Sequence, residues 1–384
     1  MLVVRLRLCS FGAWRTTLWT GSLAACIEAQ VDEVRRVHSL ITRAASTLEP
    51  EPVVQGPMPP YGAFTRSSKY RAFMRALVVR RPTGPDSLEI IDTPVPEPGP
   101  GQVRIAVTAA AVNPIDLMTA SGALVELGMS PPREQFGLGW DVAGTVDAVG
   151  LGVDLAVGVE VIGLSDELVK PLKTHAEFVV LDAAAVVPAP REHDAASAAS
   201  FALNALTALQ ALDALDLPSG ATVLITGAAG ALGGFAIELA AQRNLRIIAV
   251  ARAEDEQLVA GFGADLFVPR SDDPVPAIRQ IVPEGVDGLI DAAALGAAVH
   301  EAVRTGGDVS YVFGDGAPPL GTRGITVREI FVNANAAELS TLVESVESKR
   351  LSIRVAATFP FDDAVGAYGR LAKGGVRGRI VLIL

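Results

Sequence analysis

The sequence predicts an α/β protein in which a compact, barrel-like β domain precedes a parallel sheet with crossover helices. Three features predict it. From Met74 the chain runs in short β-rich segments broken by Pro/Gly clusters, and from about residue 197 strands and helices alternate. Between them in importance stands a glycine-spaced turn that joins a buried strand directly to a helix.

Composition sets the outer bounds. The chain has 384 residues, is 50% hydrophobic and 20% charged, and carries a formal net charge of −11. That length suits two domains, each large enough for its own core. The acidic balance argues against nucleic acid or an anionic membrane as partner. Two cysteines build neither a disulfide framework nor a four-ligand zinc site.

The charge is uneven, which gives the first boundary. Residues 1–73 hold nine Lys/Arg and five Asp/Glu, whereas residues 74–384 hold 23 and 38. Both cysteines (Cys9, Cys26) and two tryptophans (Trp14, Trp19) lie in the first segment, which ends in the Pro/Gly/Ser-rich stretch LEPEPVVQGPMPPYGAFTRSS. Residues 1–73 therefore read as an extension, disordered or upstream of a true start at Met74. Two other readings stay open. Arg5, Arg7 and Arg15 without an acid suit a transit peptide, and Leu23-Ala24-Ala25-Cys26 resembles a lipoprotein cleavage site.

The β segments are MRALVV, SLEIIDT, QVRIAVTAAAV, VAGTVDAVG, VEVIG and HAEFVVL, separated by PTGPD, PVPEPGPGQ and similar breaks. The apolar stretch between Asp194 and Asp213 contains Ser197, Ser200, Asn204, Thr207 and Gln210, so it reads as a buried helix of a soluble protein.

In ATVLITGAAGALGGFAIELAAQRNLRIIAVAR (221–252), VLIT is a buried strand and Gly227-x-x-Gly230-x-x-Gly233 turns into a helix. Leu232, Phe235, Ala236, Leu239 and Ala240 make one apolar face of that helix. The glycines permit the tight turn and let backbone N–H groups and the helix N-terminus approach a pyrophosphate. A second strand, RIIAVA, follows at the expected distance, so the segment reads as a Rossmann dinucleotide site within a doubly wound sheet. An NAD site usually ends that second strand with an acid on the ribose 2′-hydroxyl. Here Ala251 and Arg252 stand there, and a guanidinium pairs with a 2′-phosphate. NADPH is the expected cofactor, with Glu254 and Asp255 as opposing charges nearby.

The segments AVNPIDLMTASG (111–122), GWDVAGTVDAVGLGVDLAVGVEVIG (139–163), HAEFVV (175–180), ALTALQAL (205–212), TGAAGALGG (226–234), VDGLIDAAALG (286–296) and GRIVL (378–382) follow one another in a known order. From Met74 to Leu384 the sequence resembles the medium-chain dehydrogenase/reductase superfamily, and within it the zinc-free quinone oxidoreductases related to zeta-crystallin. The resemblance implies a GroES-like catalytic domain (74–200), a Rossmann NADP-binding domain (201–335) and a C-terminal return to the first domain (336–384). It also implies a homodimer formed through the Rossmann domain.

Zinc enzymes of this superfamily bind catalytic metal through a Cys, a His and a further Cys or acid. Asn113 stands in the place of the first Cys and Trp140 in that of the His, and neither replaces a thiolate or imidazole. His38, His175, His193 and His300 are isolated, and each reads as a surface or packing residue. The site is expected to be metal-free. Hydride transfer from NADPH then needs an acceptor already electrophilic, a quinone or an α,β-unsaturated carbonyl.

Asn113 is the candidate donor to the acceptor oxygen, and Asp116 either orients the loop or relays a proton. Trp140 either walls the pocket or packs as a core aromatic, and Thr207 either contacts the nicotinamide or caps a buried turn. The cofactor set is Thr207, Gly227, Gly230, Ala231, Leu232, Gly233 and Arg252. No tyrosine stands out as an acid, since Tyr61 and Tyr70 lie in the extension, Tyr311 on a predicted strand and Tyr368 on a predicted helix. Water is the expected proton source. The expectation is thus a cytoplasmic, NADPH-dependent, zinc-independent reductase of small-molecule quinones or enones. The alternatives are an enoyl-thioester reductase, for which Lys170 and Lys173 are the basic pair, and a non-catalytic NADPH-binding protein.

Overall fold

A computed structural model of the chain describes residues 72–312 and 322–384. The readings attached to residues 1–71, with Cys9, Cys26, His38, Tyr61 and Tyr70, lie outside the described residues. The described chain opens with β1 (Phe73–Val79), which pairs antiparallel with β2 (Leu88–Pro94).

β3 (Gln102–Val112) shows how the sequence chooses its layers. Its first half alternates, with Val103, Ile105 and Val107 buried and their neighbours part-exposed, and its second half, Ala109–Val112, is buried throughout. Alternation marks a sheet covered on one face, and a continuous apolar run marks one covered on both. β4 (Phe136–Gly137) adds a short third strand to β1. β5 (Asp141–Val149), β6 (Glu160–Leu164), β7 (Phe178–Asp182) and β8 (Val186–Pro188) extend the sheet that β3 begins.

β9 (Thr222–Thr226), β10 (Arg246–Ala251), β11 (Leu266–Pro269), β12 (Val286–Asp291), β13 (Val303–Tyr311) and β14 (Thr326–Glu329) form one sheet, parallel throughout. Its order is β11-β10-β9-β12-β13-β14, the doubly wound arrangement whose ligands sit where the order reverses, beside β9 and β12. All five residues of β9 are buried. Thr226 Oγ donates to Asp291 Oδ1 at 2.6 Å and fixes the two strand ends at that point.

The chain then returns. β15 (Val355–Pro360) and β16 (Arg379–Ile383) complete the seven-stranded sheet through β3, in the order β15-β16-β3-β5-β6-β8 with β7 also on β3. The fold is the predicted α/β class, a β-barrel-type part and a parallel sheet.

Two expectations change in detail. The helix Ala231–Gln242 is buried from Gly233 to Ala240 on every side, Glu238 included, rather than along one apolar face. It packs between the sheet and the helix Ala202–Leu215, so both of its sides are covered. Ala195–Leu215 is long and apolar enough to cross a membrane by length and composition, yet 61% of its apolar window is buried within the protein. It forms two helices, Ala195–Ala198 and Ala202–Leu215, with Ala205, Leu206, Ala208, Ala211 and Leu212 in the main core.

Candidate active site

The glycine turn has the geometry its spacing requires. Gly227 adopts φ +58°, and a Cβ on Gly233 would lie 2.3 Å from the Gly227 carbonyl oxygen, so only glycine lets the helix start this close to the strand. Gly230 is the N-cap residue of the helix Ala231–Gln242, and no side chain caps it. Ala231, Leu232 and Gly233 occupy the first turn, where backbone N–H groups lack intrahelical partners.

A cavity of about 260 Å³ opens beside this turn. Gly227 and Gly230 line it together with Arg252, Arg270 and Arg377. Ala231, Leu232, Gly233 and Thr207 do not line it. Arg252 is half-exposed, with Glu254 Oε1 3.9 Å from its Nη1. The Arg270 N–H donates to the Ala251 carbonyl at 2.6 Å, which holds the next loop against the end of β10.

A second group of polar residues is buried behind the loop that follows β3. Asn113 is fully buried, and its amide donates to Ala111 O at 3.2 Å and to Asp141 Oδ2 at 3.0 Å. Its Oδ1 accepts from Arg379 Nη2 and from Asn204 Nδ2. Both amide hydrogens are therefore committed, and the structure leaves Asn113 none to offer an acceptor oxygen. It is a connector between the two acidic and basic side chains around it.

Asp116 also spends its carboxylate on backbone. One oxygen accepts from Asn113 N–H at 2.9 Å and the other from Gly139 N–H at 2.7 Å. These bonds hold the loop before Trp140. Asp141, fully buried, accepts from Leu203 N–H at 2.5 Å and has Arg379 Nη2 3.9 Å away. Burial pushes the Asp141 carboxyl up and the Arg379 guanidinium down, and each opposes the other's shift. His175, fully buried, lies between Ala111 O and the Tyr368 hydroxyl, both at 3.0 Å. Nε2–H donates to the carbonyl, so Nδ1 accepts from Tyr368. Burial lowers the imidazole and keeps it neutral, and burial pushes the Tyr368 phenol far up.

Trp140 is buried at 6% exposure in the main core. The Lys173 ammonium sits 3.5 Å from the centre of its ring. Lys173 is 3% exposed and its Nζ has no hydrogen-bond partner, and burial lowers its pKa to about 7 against the pull of Asp116. Thr207 lies within the helix Ala202–Leu215, where its hydroxyl donates to Leu203 O at 2.6 Å, so it caps no turn.

Comparison with known proteins bears on what these two clusters belong to. Residues 99–191 match the alcohol dehydrogenase GroES-like domain family, and residues 262–382 match the zinc-binding dehydrogenase family. The chain is 28% identical over 297 residues to the NADPH-dependent alkenal/one oxidoreductase of Arabidopsis thaliana chloroplasts, covering 75% of this chain and 73% of that one. It matches the quinone oxidoreductase of Coxiella burnetii at 27% identity and a TM-score of 0.71, over 81% of this chain and 99% of that one. An NAD-dependent alcohol dehydrogenase structure is 30% identical at a TM-score of 0.70, matched over 81% of this chain and the whole of that one. The chain belongs to the medium-chain dehydrogenase/reductase superfamily, in its quinone oxidoreductase branch.

As a member of this superfamily the chain is an oxidoreductase with a nicotinamide cofactor, and the glycine turn and its cavity fit such a group. The resemblance places Asn113 and Trp140, neither a thiolate nor an imidazole, at two family zinc-ligand positions, and among the described residues no three His, Cys, Asp or Glu side chains are grouped to hold a metal ion. The basic pair considered for a thioester reductase is split between surface and interior. Lys170 is held by Glu167 at 2.6 Å, and Lys173 is buried.

Several residues escaped sequence reasoning. Arg270 and Arg377 line the cavity, and Asp141 and Arg379 anchor Asn113. Arg270 had a local signal, since it directly follows β11, the strand beside β10. The others had none, because their partners are far away in the chain.

Proposed function

We propose that this chain is a zinc-independent oxidoreductase that transfers a hydride from NADPH to a quinone or an α,β-unsaturated carbonyl. The cavity carries the proposal, lined by Gly227 and Gly230 and by Arg252 and Arg270, with no carboxylate at the last position of β10. Bound there, the nicotinamide supplies the hydride. The first turn of the helix Ala231–Gln242 holds the pyrophosphate, and Arg252 pairs with the 2′-phosphate. The alkenal oxidoreductase of Arabidopsis, whose name includes NADPH, supports the cofactor and the enone class, and the Coxiella structure's name supports the quinone class.

The acceptor class is supported by the residues around Asn113. Among the described residues no three His, Cys, Asp or Glu side chains are grouped to hold a metal ion, and both Asn113 amide hydrogens are committed, which favours an acceptor that is electrophilic by itself.

A panel of quinones, alkenals and saturated alcohols tests this. NADPH is consumed with a quinone or an enone, and NADP+ is not reduced by the alcohols. Turnover only with alcohols, or with no acceptor at all, overturns the proposal. The cofactor is tested by binding. Arg252→Ala weakens NADPH by about 1.5–3 kcal/mol, roughly 10- to 150-fold in Kd, and leaves NADH nearly unchanged. Equal NADPH affinity in the variant removes Arg252 from the site.

A further inference from the structure

The end of β10 poses an electrostatic problem for NADPH. Arg252 is followed at once by Glu254 and Asp255, and Asp255 lines the same cavity. Two carboxylates beside a 2′-phosphate repel it, and a carboxylate there is also the group that selects the ribose hydroxyl of NAD.

Arg377 answers both charges. Its Nε donates to Asp255 Oδ1 at 2.8 Å and its Nη2 to Asp255 Oδ2 at 2.9 Å, a two-pronged pair, and Nη2 also reaches Glu254 Oε1 at 3.2 Å. Asp255 is 8% exposed on its side chain, so the pair is shielded from water on one side. Arg377 comes from the opposite part of the molecule. It lies between the helix Ala364–Ala372 and β16 of the seven-stranded sheet, whereas Asp255 follows β10 of the parallel sheet. The connecting strap contains Gly374, Gly375 and Gly378 at φ +67°, +66° and +114°. These conformations suit glycine and let the strap bend tightly over the cavity. A Cβ on Gly375 would lie 3.5 Å from Arg252 Nη1, so a side chain there would press on the proposed phosphate-binding arginine.

We propose that Arg377 is a specificity-determining residue for NADPH, which it favours by drawing the Asp255 and Glu254 carboxylates into an ion pair and away from the 2′-phosphate. Arg377 is a positioning residue here, acting through the two acids, while Arg252 and Arg270 remain to face the phosphate. The inference rests on the NADPH proposal above and deepens it.

The test is the dissociation constants of NADPH and NADH, measured by titration without any acceptor. The proteins are wild type, Arg377→Ala, Asp255→Asn and the double variant. Arg377→Ala weakens NADPH by about tenfold or more and leaves NADH equal or tighter, because the freed Asp255 accepts from the ribose 2′-hydroxyl. Adding Asp255→Asn to Arg377→Ala restores most of the NADPH affinity, since the repelling charge is gone. Asp255→Asn alone binds NADPH at least as well as wild type, a result that does not depend on the arginine variant folding. Equal weakening of both cofactors, or no rescue in the double variant, overturns the role of Arg377. A wild type that prefers NADH overturns the NADPH proposal itself, and this inference with it.

Discussion

Arg379→Met should lower the unfolding free energy by about 3–5 kcal/mol at pH 7, the range found when one member of a buried ion pair is removed. Arg379 is 4% exposed and donates to Val112 O and Asn113 Oδ1, with the fully buried Asp141 carboxylate beside it. Without the guanidinium, Asp141 keeps only the Asn113 amide and the Leu203 N–H as partners. The variant also has a diagnostic pH dependence. Burial already raises the Asp141 carboxyl above its unfolded value, and losing Arg379 raises it further. The native state then holds a proton that the unfolded state has released, so stability falls as pH rises through that window and is recovered in acid. Urea titrations from pH 5 to pH 8 measure both effects. A loss under about 1 kcal/mol with no pH slope shows that the pair is not a support of the fold.

Lys173→Met should have the opposite sign. Burial lowers the Lys173 amine to about 7, so between there and the unfolded value near 10.5 the unfolded chain binds a proton that the native one does not. Wild-type stability should rise with pH across that window, and the full cost of the desolvated ammonium is felt below it. Each pH unit of displacement corresponds to about 1.4 kcal/mol. The lost contact with the Trp140 ring gives back about 1–2 kcal/mol. Methionine fills a similar volume and its thioether packs on an aromatic face, so the net gain at pH 7 is on the order of 3 kcal/mol. The pH slope between 7 and 10 should shrink in the variant. A destabilised variant with the slope retained shows that another group titrates there.

The sequence disclosed what short-range patterns encode. β9, the glycine turn and β10 form a continuous segment whose apolar run, glycine spacing and second apolar run each have a local cause, and the structure places them at 222–226 and 246–251. β3 was equally plain, because its change from alternation to a continuous apolar run lies within eleven residues. Asn113 was misjudged for the converse reason. Its residue type states what it can donate, but its donors are consumed by Ala111 and by Asp141, 28 positions on. Arg377 meets Asp255 across 122 residues, and Arg379 meets Asn113 across 266. No window along the chain contains either pair. Lys173 stands in the sequence only as a member of a basic pair, lysine being mostly exposed, and its burial shows only in the packing of Trp140 against it.

Hydride transfer without metal is tested most directly on protein freed of zinc by exhaustive chelation and checked by elemental analysis. NADPH carrying deuterium at both C4 positions is mixed with the best quinone or enone of the panel, and its oxidation is compared with that of ordinary NADPH. The expected result is an unchanged rate after chelation and a slower rate with the deuterated cofactor, as a nicotinamide C–H bond broken in the reaction requires. Stoichiometric zinc whose removal abolishes NADPH oxidation contradicts it.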